Sequence, residues 1–217
     1  MSDWYYKELK TPGTQKEFEQ VAKNFSSEMA RLLVSNSWDK EDEQNGTVME
    51  THSIPESNIL MTRCTRTFDD VSKFDKFSDD LLDSSLAKKQ KIYPDMLENK
   101  VVREINNNTH VVLSQFKAPF PTGKREFVML KFREVLENGS HVITSCSINF
   151  ESVPFSSGFT RGIAKTAMLV TPLNEENKIK VVKIDFVDPK GWIPAFVLNW
   201  VKGKSIDAIN KMQGYLD

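Results

Sequence analysis

The stretch Arg125-Glu126-Phe127-Val128-Met129-Leu130-Lys131-Phe132-Arg133 decides the fold. Its residues alternate between one face, Phe127, Met129 and Lys131, and another, Val128, Leu130 and Phe132, which is the period of a β-strand. An antiparallel strand in a half-solvated sheet shows a single apolar face, so apolar residues on both faces imply cover on both sides. One terminal helix covers one side; the other meets a second helix or a curl of the sheet. A curved sheet gripping a helix leaves an enclosed volume between them, although an ordinary core sandwiched by helices fits the same periodicity.

Outward from this strand the chain is punctuated by turns. Strands are predicted at 99–105, 109–117, 125–136, 140–150, 161–172 and 177–187, separated by Asn106-Asn107-Asn108, Pro119 to Gly123, Asn138-Gly139, Pro154 to Gly158 and Asn174 to Asn177. Asn138-Gly139 is a hairpin signal because both residues tolerate positive φ. Upstream, Gly46 to Ile54 and Ile59 to Phe68 read as a hairpin about the turn Pro55-Glu56-Ser57-Asn58. Phe18, Val21, Ala22, Phe25, Met29, Leu32 and Leu33 recur at helical spacing and predict a helix over 15–35. Residues 70–97 are helical in character, with a second short helix over 84–97 that Pro94 breaks late. A last helix runs to about 214, with Pro194 suited to its first turn. The order is helix, strands, two helices, six strands, helix, an α+β layer arrangement without internal repeat. Residues 1–14 read as a polar, aromatic leader and 15–217 as one domain.

Composition narrows the function. Twenty-nine basic and 30 acidic residues leave a formal net charge of −1, which gives no overall attraction to nucleic acid or to an anionic membrane. Fourteen Phe and four Trp suit a thick core or the wall of an apolar cavity. Cys64 and Cys146 lack the spacing of a disulfide framework or a metal site and fit reduced, buried thiols. The N-terminus lacks an apolar h-region and no long apolar run follows, so the reading is a cytoplasmic chain. His52, His110 and His141 lie far apart with no metal-ligand spacing, and no phosphate loop or nucleophile motif is present. Neither metal nor cofactor is expected, and an enzyme is disfavoured for want of a carboxylate–histidine pair.

Three segments carry a family resemblance. Residues 119–133, Pro-Phe-Pro-Thr-Gly-Lys-Arg-Glu-Phe-Val-Met-Leu-Lys-Phe-Arg, resemble the PFP…RD[FY]V segment of START domains. Residues 188–200, Asp-Pro-Lys-Gly-Trp-Ile-Pro-Ala-Phe-Val-Leu-Asn-Trp, resemble the signature before their C-terminal helix, and Ser157-Gly158-Phe159-Thr160-Arg161 matches a G-x-x-R step between later strands. They occur in family order over about 15–214 and are most similar to the phosphatidylcholine transfer branch. The resemblance implies a helix-grip fold: a U-shaped antiparallel sheet around a hydrophobic tunnel, closed by the C-terminal helix and by the loop from Pro119 to Lys124. It also implies a monomer that binds one lipid, touches membranes transiently and carries the lipid between them, or else senses it through a partner.

The same resemblance supplies candidate site residues. Sterol-type members place an Arg at Lys131, facing an acid on the preceding strand; here that strand offers Val112 and Ser114, so Lys131 bonds a ligand phosphate or a distant acid, or reaches solvent. Lys91 and Asp95, four residues apart, would share a helix face and resemble a phosphate-reading Arg–Asp pattern. Of the positions that form a choline cage in relatives, Phe127 is aromatic, whereas the others read Ser114 and Lys165; a lysine there favours an anionic phospholipid or a fatty acid over phosphatidylcholine. Met129 joins Phe127 on the cavity wall. Arg125 and Arg161 read as framework residues with a lesser chance of touching ligand. Phe120 in the loop, and Ile193, Phe196, Val197, Trp200 and Val201 on the last helix, are the expected lid. Gly203 interrupts that helix as a soft point.

Overall fold

The computed structural model of the chain describes residues 8–9, 11–54 and 58–217, with the side chains of residues 195 and 198 set aside. The leader expected over residues 1–14 therefore falls mostly outside the described residues, as does the turn at Pro55, Glu56 and Ser57. What is described of the leader lies along the sheet: the Leu9 amide donates to the Ser147 carbonyl at 3.0 Å.

Helix α1 (Gln15–Leu33) starts where the sequence provides a capping box: the Glu17 amide donates to Thr14 Oγ1 at 3.3 Å and the Thr14 amide to Glu17 Oε2 at 2.9 Å. Its buried stripe is Phe18, Ala22, Phe25, Met29 and Leu33. Strands β1 (Asp39–Gln44), β2 (Thr47–Ser53) and β3 (Leu60–Asp69) follow, then α2 (Phe74–Leu82) and α3 (Leu86–Ile92). Next come β4 (Met96–Asn106), β5 (Thr109–Phe116), β6 (Lys124–Val135), β7 (His141–Ser147), β8 (Phe159–Arg161), β9 (Ile163–Leu173), β10 (Lys178–Asp188) and α4 (Ala195–Lys211).

Nine strands form one antiparallel sheet in the order β1-β2-β3-β10-β9-β7-β6-β5-β4, and β8 adds a short parallel pairing to β6. Strand β10 joins the N-terminal hairpins to the rest by pairing with both β3 and β9. This is the expected α+β helix-grip arrangement.

Three boundaries differ from expectation. Strand β1, with the sequence Asp-Lys-Glu-Asp-Glu-Gln, was not foreseen, because an exposed edge strand made of charges has no apolar alternation to read. It turns into β2 through Asn45 and Gly46, both at positive φ (51° and 74°). Helix α3 stops at Ile92 rather than near 97, since the residue before Pro94 is pushed out of helical backbone. The strand expected over 161–172 is two strands broken at Gly162. There a Cβ would lie 2.5 Å from the Phe127 ring and 2.9 Å from the Asp188 carbonyl oxygen, so this close approach admits only glycine.

The two faces of β6 separate two bodies of apolar packing. Val128, Leu130 and Phe132 bury against the α1 stripe on the convex side. On the concave side Phe74, Phe77, Leu81, Ile206, Ile209, Met212 and Tyr215 fill one end with a solid core built by α2 and the C-terminal half of α4. Fully burying side chains of this size stabilises by roughly 1.5–3 kcal/mol each, which anchors that half of α4 firmly. Its N-terminal half covers the rest of the concave face without a solid core beneath it.

Candidate functional site

Beneath the N-terminal half of α4 lies a hollow of about 240 Å³, just below the ~300–1,000 Å³ that drug-sized ligands occupy. Its floor is the concave face of the sheet and its roof includes Val197, Trp200, Val201, Lys204 and Ser205 of α4. The wall is mainly apolar. Phe127 packs edge-to-face on Phe116 with ring centroids 5.9 Å apart, and Phe116 on Tyr93 at 6.3 Å, giving a belt of three rings.

One end of the hollow is framed by Lys117, Ala118 and Thr122 and by Pro189 and Val197. Arg125 ties these two segments together. Its Nε donates to the Pro189 carbonyl at 2.6 Å and Nη2 to that of Lys190 at 3.1 Å, while Nη1 donates to Gly123. Around this rim Phe120 is 92% exposed, Trp192 72% and Phe196 51%. Asp95 and Lys204 Nζ form an ion pair of 2.6 Å that fastens α4 to the start of β4.

The opposite end is polar. Lys131 lies six residues further along β6 than Arg125, about 20 Å at ~3.3 Å per residue. Its Nζ donates to the carbonyls of Leu81 at 2.9 Å and Leu82 at 2.6 Å, capping α2. Lys89 Nζ shares the Leu81 carbonyl at 2.9 Å. Burial depresses both ammonium groups, Lys131 well below the ordinary lysine value and Lys89 to about 8. Neighbouring His110 is pushed down to about 4 by burial and then by the charges of Lys131 and Lys89. Across the floor, Lys183 and Asp185 of β10 form a buried ion pair. Lys183 is held above its usual value; burial opposes this, but Asp185 and the nearby Tyr93 hydroxyl outweigh it.

Of the residues singled out in the sequence, Asp95, Val112, Ser114, Phe127, Met129, Lys131, Val197, Trp200 and Val201 lie around the hollow. Ser114 donates to Asn99 Oδ1 at 2.5 Å. Arg125 joins them at the rim, and the others lie elsewhere. Lys91 does not pair with Asp95, because α3 ends between them; it is exposed, with Nζ 3.5 Å from the Gly214 carbonyl. Arg161 is a framework residue, bonded to the buried Glu126 carboxylate through Nε at 3.0 Å and Nη2 at 2.8 Å. Lys165 points to the convex side, fully buried near Cys146 and Glu28 of α1, where burial lowers it to about 8. Its neighbours Ala164 and Thr166 take the concave face instead. Phe120 and Phe196 face outward, and Ile193 precedes α4 without lining the hollow. A helix presents i, i+3, i+4 and i+7 on one face, and Val197, Trp200, Val201 and Lys204 occupy it.

Sequence reasoning missed Tyr93, Phe116, Ser145, Thr166, Lys183 and Asp185. The last two carried a readable signal: opposite charges two residues apart on one face of a strand, between apolar Val181 and Val187.

The chain matches the family model described as START domain over residues 18–212. It is 29% identical over 113 residues to the steroidogenic acute regulatory protein of Xenopus laevis, covering 50% of this chain and 39% of that protein. It is equally 29% identical over 113 residues to the phosphatidylcholine transfer protein of Bos taurus, covering 48% of this chain and 53% of that protein. These alignments thus span at most about half the length of either relative. The structure resembles human StAR-related lipid transfer protein 5 with a TM-score of 0.81 at 17% identity, covering 93% of this chain and 97% of that one. With a family match across nearly the whole chain and a fold that encloses a hollow under its last helix, the protein belongs to the START domain family.

Proposed function

We propose that this chain holds one lipid in the concave hollow and carries it between membrane surfaces, with the N-terminal half of α4 and the loop around Phe120 as the gate. One observation carries the reading: α4 is seated in solid core at its C-terminal half and roofs an apolar hollow with its N-terminal half. A helix so divided can lift at one end without unfolding the other. Exposed Phe120, Trp192 and Phe196 at the same end supply the apolar contact that a bilayer interface accepts.

The sequence favours an anionic phospholipid or a fatty acid, on the strength of Lys165 at a cage position, with Lys131 as a candidate phosphate partner. Neither lysine offers its ammonium to a ligand in the hollow, since Lys165 lies behind the sheet and Lys131 is bonded to α2. A two-chained phospholipid also exceeds the 240 Å³ and enters only with α4 displaced. A smaller lipid, a sterol or a single-chain lipid, is the second reading, because it would enter with less displacement of α4. Native mass spectrometry with lipid extraction, followed by a liposome-to-liposome transfer assay, tests the proposal. Co-purifying lipid and accelerated transfer support it. Binding without transfer would reassign the chain as a lipid sensor, and no bound or exchangeable lipid would end both readings.

A further inference from the structure

Two buried amines share one oxygen at the polar end of the hollow. Lys89 Nζ and Lys131 Nζ each lie 2.9 Å from the Leu81 carbonyl oxygen, so the two nitrogens are no further apart than twice that distance. Both residues line the hollow, and each is only 7% exposed. The nearby carboxylates are engaged by other lysines: Asp80 is bound by Lys76 at 3.0 Å and by Lys88 at 2.5 Å, and Asp83 by Lys88 at 2.8 Å. Two ammonium charges held this close, out of water and without a carboxylate of their own, repel strongly, and one of them is better accommodated as a neutral amine.

The surroundings decide which one. Lys89 lies over the Tyr215 ring, 5.8 Å from its centroid, a position that favours the charged form. Lys131 has no such ring, and its cross-strand neighbour is the part-buried His110. Burial, followed by the charge of Lys89, accordingly holds Lys131 the lower of the two. A neutral amine has two N–H groups and one lone pair. The carbonyls of Leu81 and Leu82 take the two protons, which leaves the lone pair for an electrophile. A desolvated lysine beside a second cation is the arrangement that makes an amine nucleophilic toward carbonyl carbon.

We infer that Lys131 captures a long-chain aldehyde held in the hollow as a reversible imine, with Lys89 as the proton donor. This rests on the reading of the hollow as a lipid site. The lone pair of Lys131 bonds to the carbonyl carbon, and the oxygen takes up the proton shed by nitrogen to give a carbinolamine. The C–O bond then breaks, the hydroxyl leaves as water with a proton from Lys89, and the nitrogen pair closes the C=N bond. The positive charge passes from Lys89 to the iminium, and no oxidant or reductant is consumed. The iminium keeps one N–H for the Leu82 carbonyl while Lys89 still donates to that of Leu81.

The test incubates the full chain with hexadecanal, reduces the imine to a stable secondary amine with borohydride, and maps the adduct by mass spectrometry. Displacement of a fluorescent lipid, read before reduction, reports entry into the hollow; hexadecane and phosphatidylcholine vesicles are the non-covalent controls. One adduct per chain is expected, on Lys131, formed about ten-fold or more faster than on the exposed Lys16 and Lys23. Lys131→Arg keeps a charged cap on α2 but cannot form an imine, and its adduct is expected to vanish. Lys89→Met is expected to slow capture by about ten-fold, and an unchanged rate would remove Lys89 from the step. Displacement without an adduct, labelling scattered over surface lysines or landing on Lys89, or an adduct that persists in folded Lys131→Arg overturns the capture and leaves lipid carriage standing. Failure of hexadecanal, hexadecane and phosphatidylcholine alike to displace the fluorescent lipid overturns both.

Discussion

Lys131 Nζ lies 2.6 Å from the carbonyl oxygen of Leu82, so a lysine of the central strand closes the C-terminal end of α2. The last carbonyls of a helix need partners and carry partial negative charge, and an ammonium supplies both donors and compensation. Lys131→Met therefore loosens α2 rather than abolishing lipid binding. With hydrogen bonds to a charged group worth about 1.5–3 kcal/mol, partly offset by relief of the buried charge, amides around residues 81–89 should exchange about ten-fold faster. Hydrogen exchange followed by mass spectrometry reads this. Unchanged exchange together with lost lipid affinity would assign the lysine to the ligand instead.

His110 makes the same end of the molecule acid-sensitive. Its folded pKa is about 4 against an ordinary 6.5, with burial the leading cause and Lys131 and Lys89 adding to it. As pH falls through 6.5 the unfolded chain takes up a proton that the folded chain refuses until about 4, so this histidine's contribution to stability is lost across that window. Urea midpoints should fall between pH 7 and pH 4.5 more steeply in the wild type than in His110→Gln. Parallel slopes would show that the histidine is not the sensor.

Arg125 is the clasp of the opposite end. It joins Gly123 of one rim segment to Pro189 and Lys190 of the other through three carbonyl acceptors. Arg125→Leu should leave those carbonyls unpartnered at a cost of about 1–3 kcal/mol, lower the melting temperature, and speed proteolysis within 117–124 and 188–194. Bound lipid should leak faster to acceptor vesicles. Limited proteolysis and a dequenching assay measure the two effects, and intact loops with unaltered leakage would contradict the clasp.

What the sequence disclosed, and what it hid, follows from the physics of strands. The two apolar faces of Phe127 to Phe132 foretold cover on both sides, and the structure supplies α1 on one and the hollow with α4 on the other. Edge strand β1 left no trace because charges on an exposed edge obey no burial period. Lys165 was singled out by its match to a cage position of relatives, not by strand parity, and in the structure its neighbours Ala164 and Thr166 take the concave face instead. Ser145, Thr166 and Asp185 are brought side by side by the pairing of β7 with β9 and of β9 with β10, and no single segment encodes that register. Lys131 was legible as a lysine facing the cavity, but its partner was sought in a ligand phosphate, a distant acid or solvent, whereas it found the end of a helix.

Gly203 stands in α4 close to where its packing changes character. A Cβ there would meet nothing within 4 Å, so alanine is sterically free and glycine is not required by contact. Replacing glycine by alanine in a helix interior stabilises by about 0.5–1 kcal/mol. If lifting the N-terminal half bends the helix here, Gly203→Ala should slow lipid transfer several-fold while raising the melting temperature by a few degrees. A more stable variant that transfers at the wild-type rate would place the hinge elsewhere.

Phe120 and Trp192 present large apolar rings to solvent on the two segments that Arg125 binds together. An isolated exposed ring is ordinary on a protein surface, but two such rings on joined loops at the rim of an apolar hollow are the surface that the proposed gate would press against a bilayer. Phe120→Asp with Trp192→Asp places two carboxylates in that contact without touching the floor of the hollow. Lipid delivered from detergent should still bind with near-normal affinity, whereas transfer between vesicles should fall about ten-fold or more, most sharply with anionic lipids that repel the new charges. Co-sedimentation with vesicles should fall in parallel. Equal loss of binding and transfer would mean that the rings support the hollow itself, and loss of neither would move the membrane contact to another face.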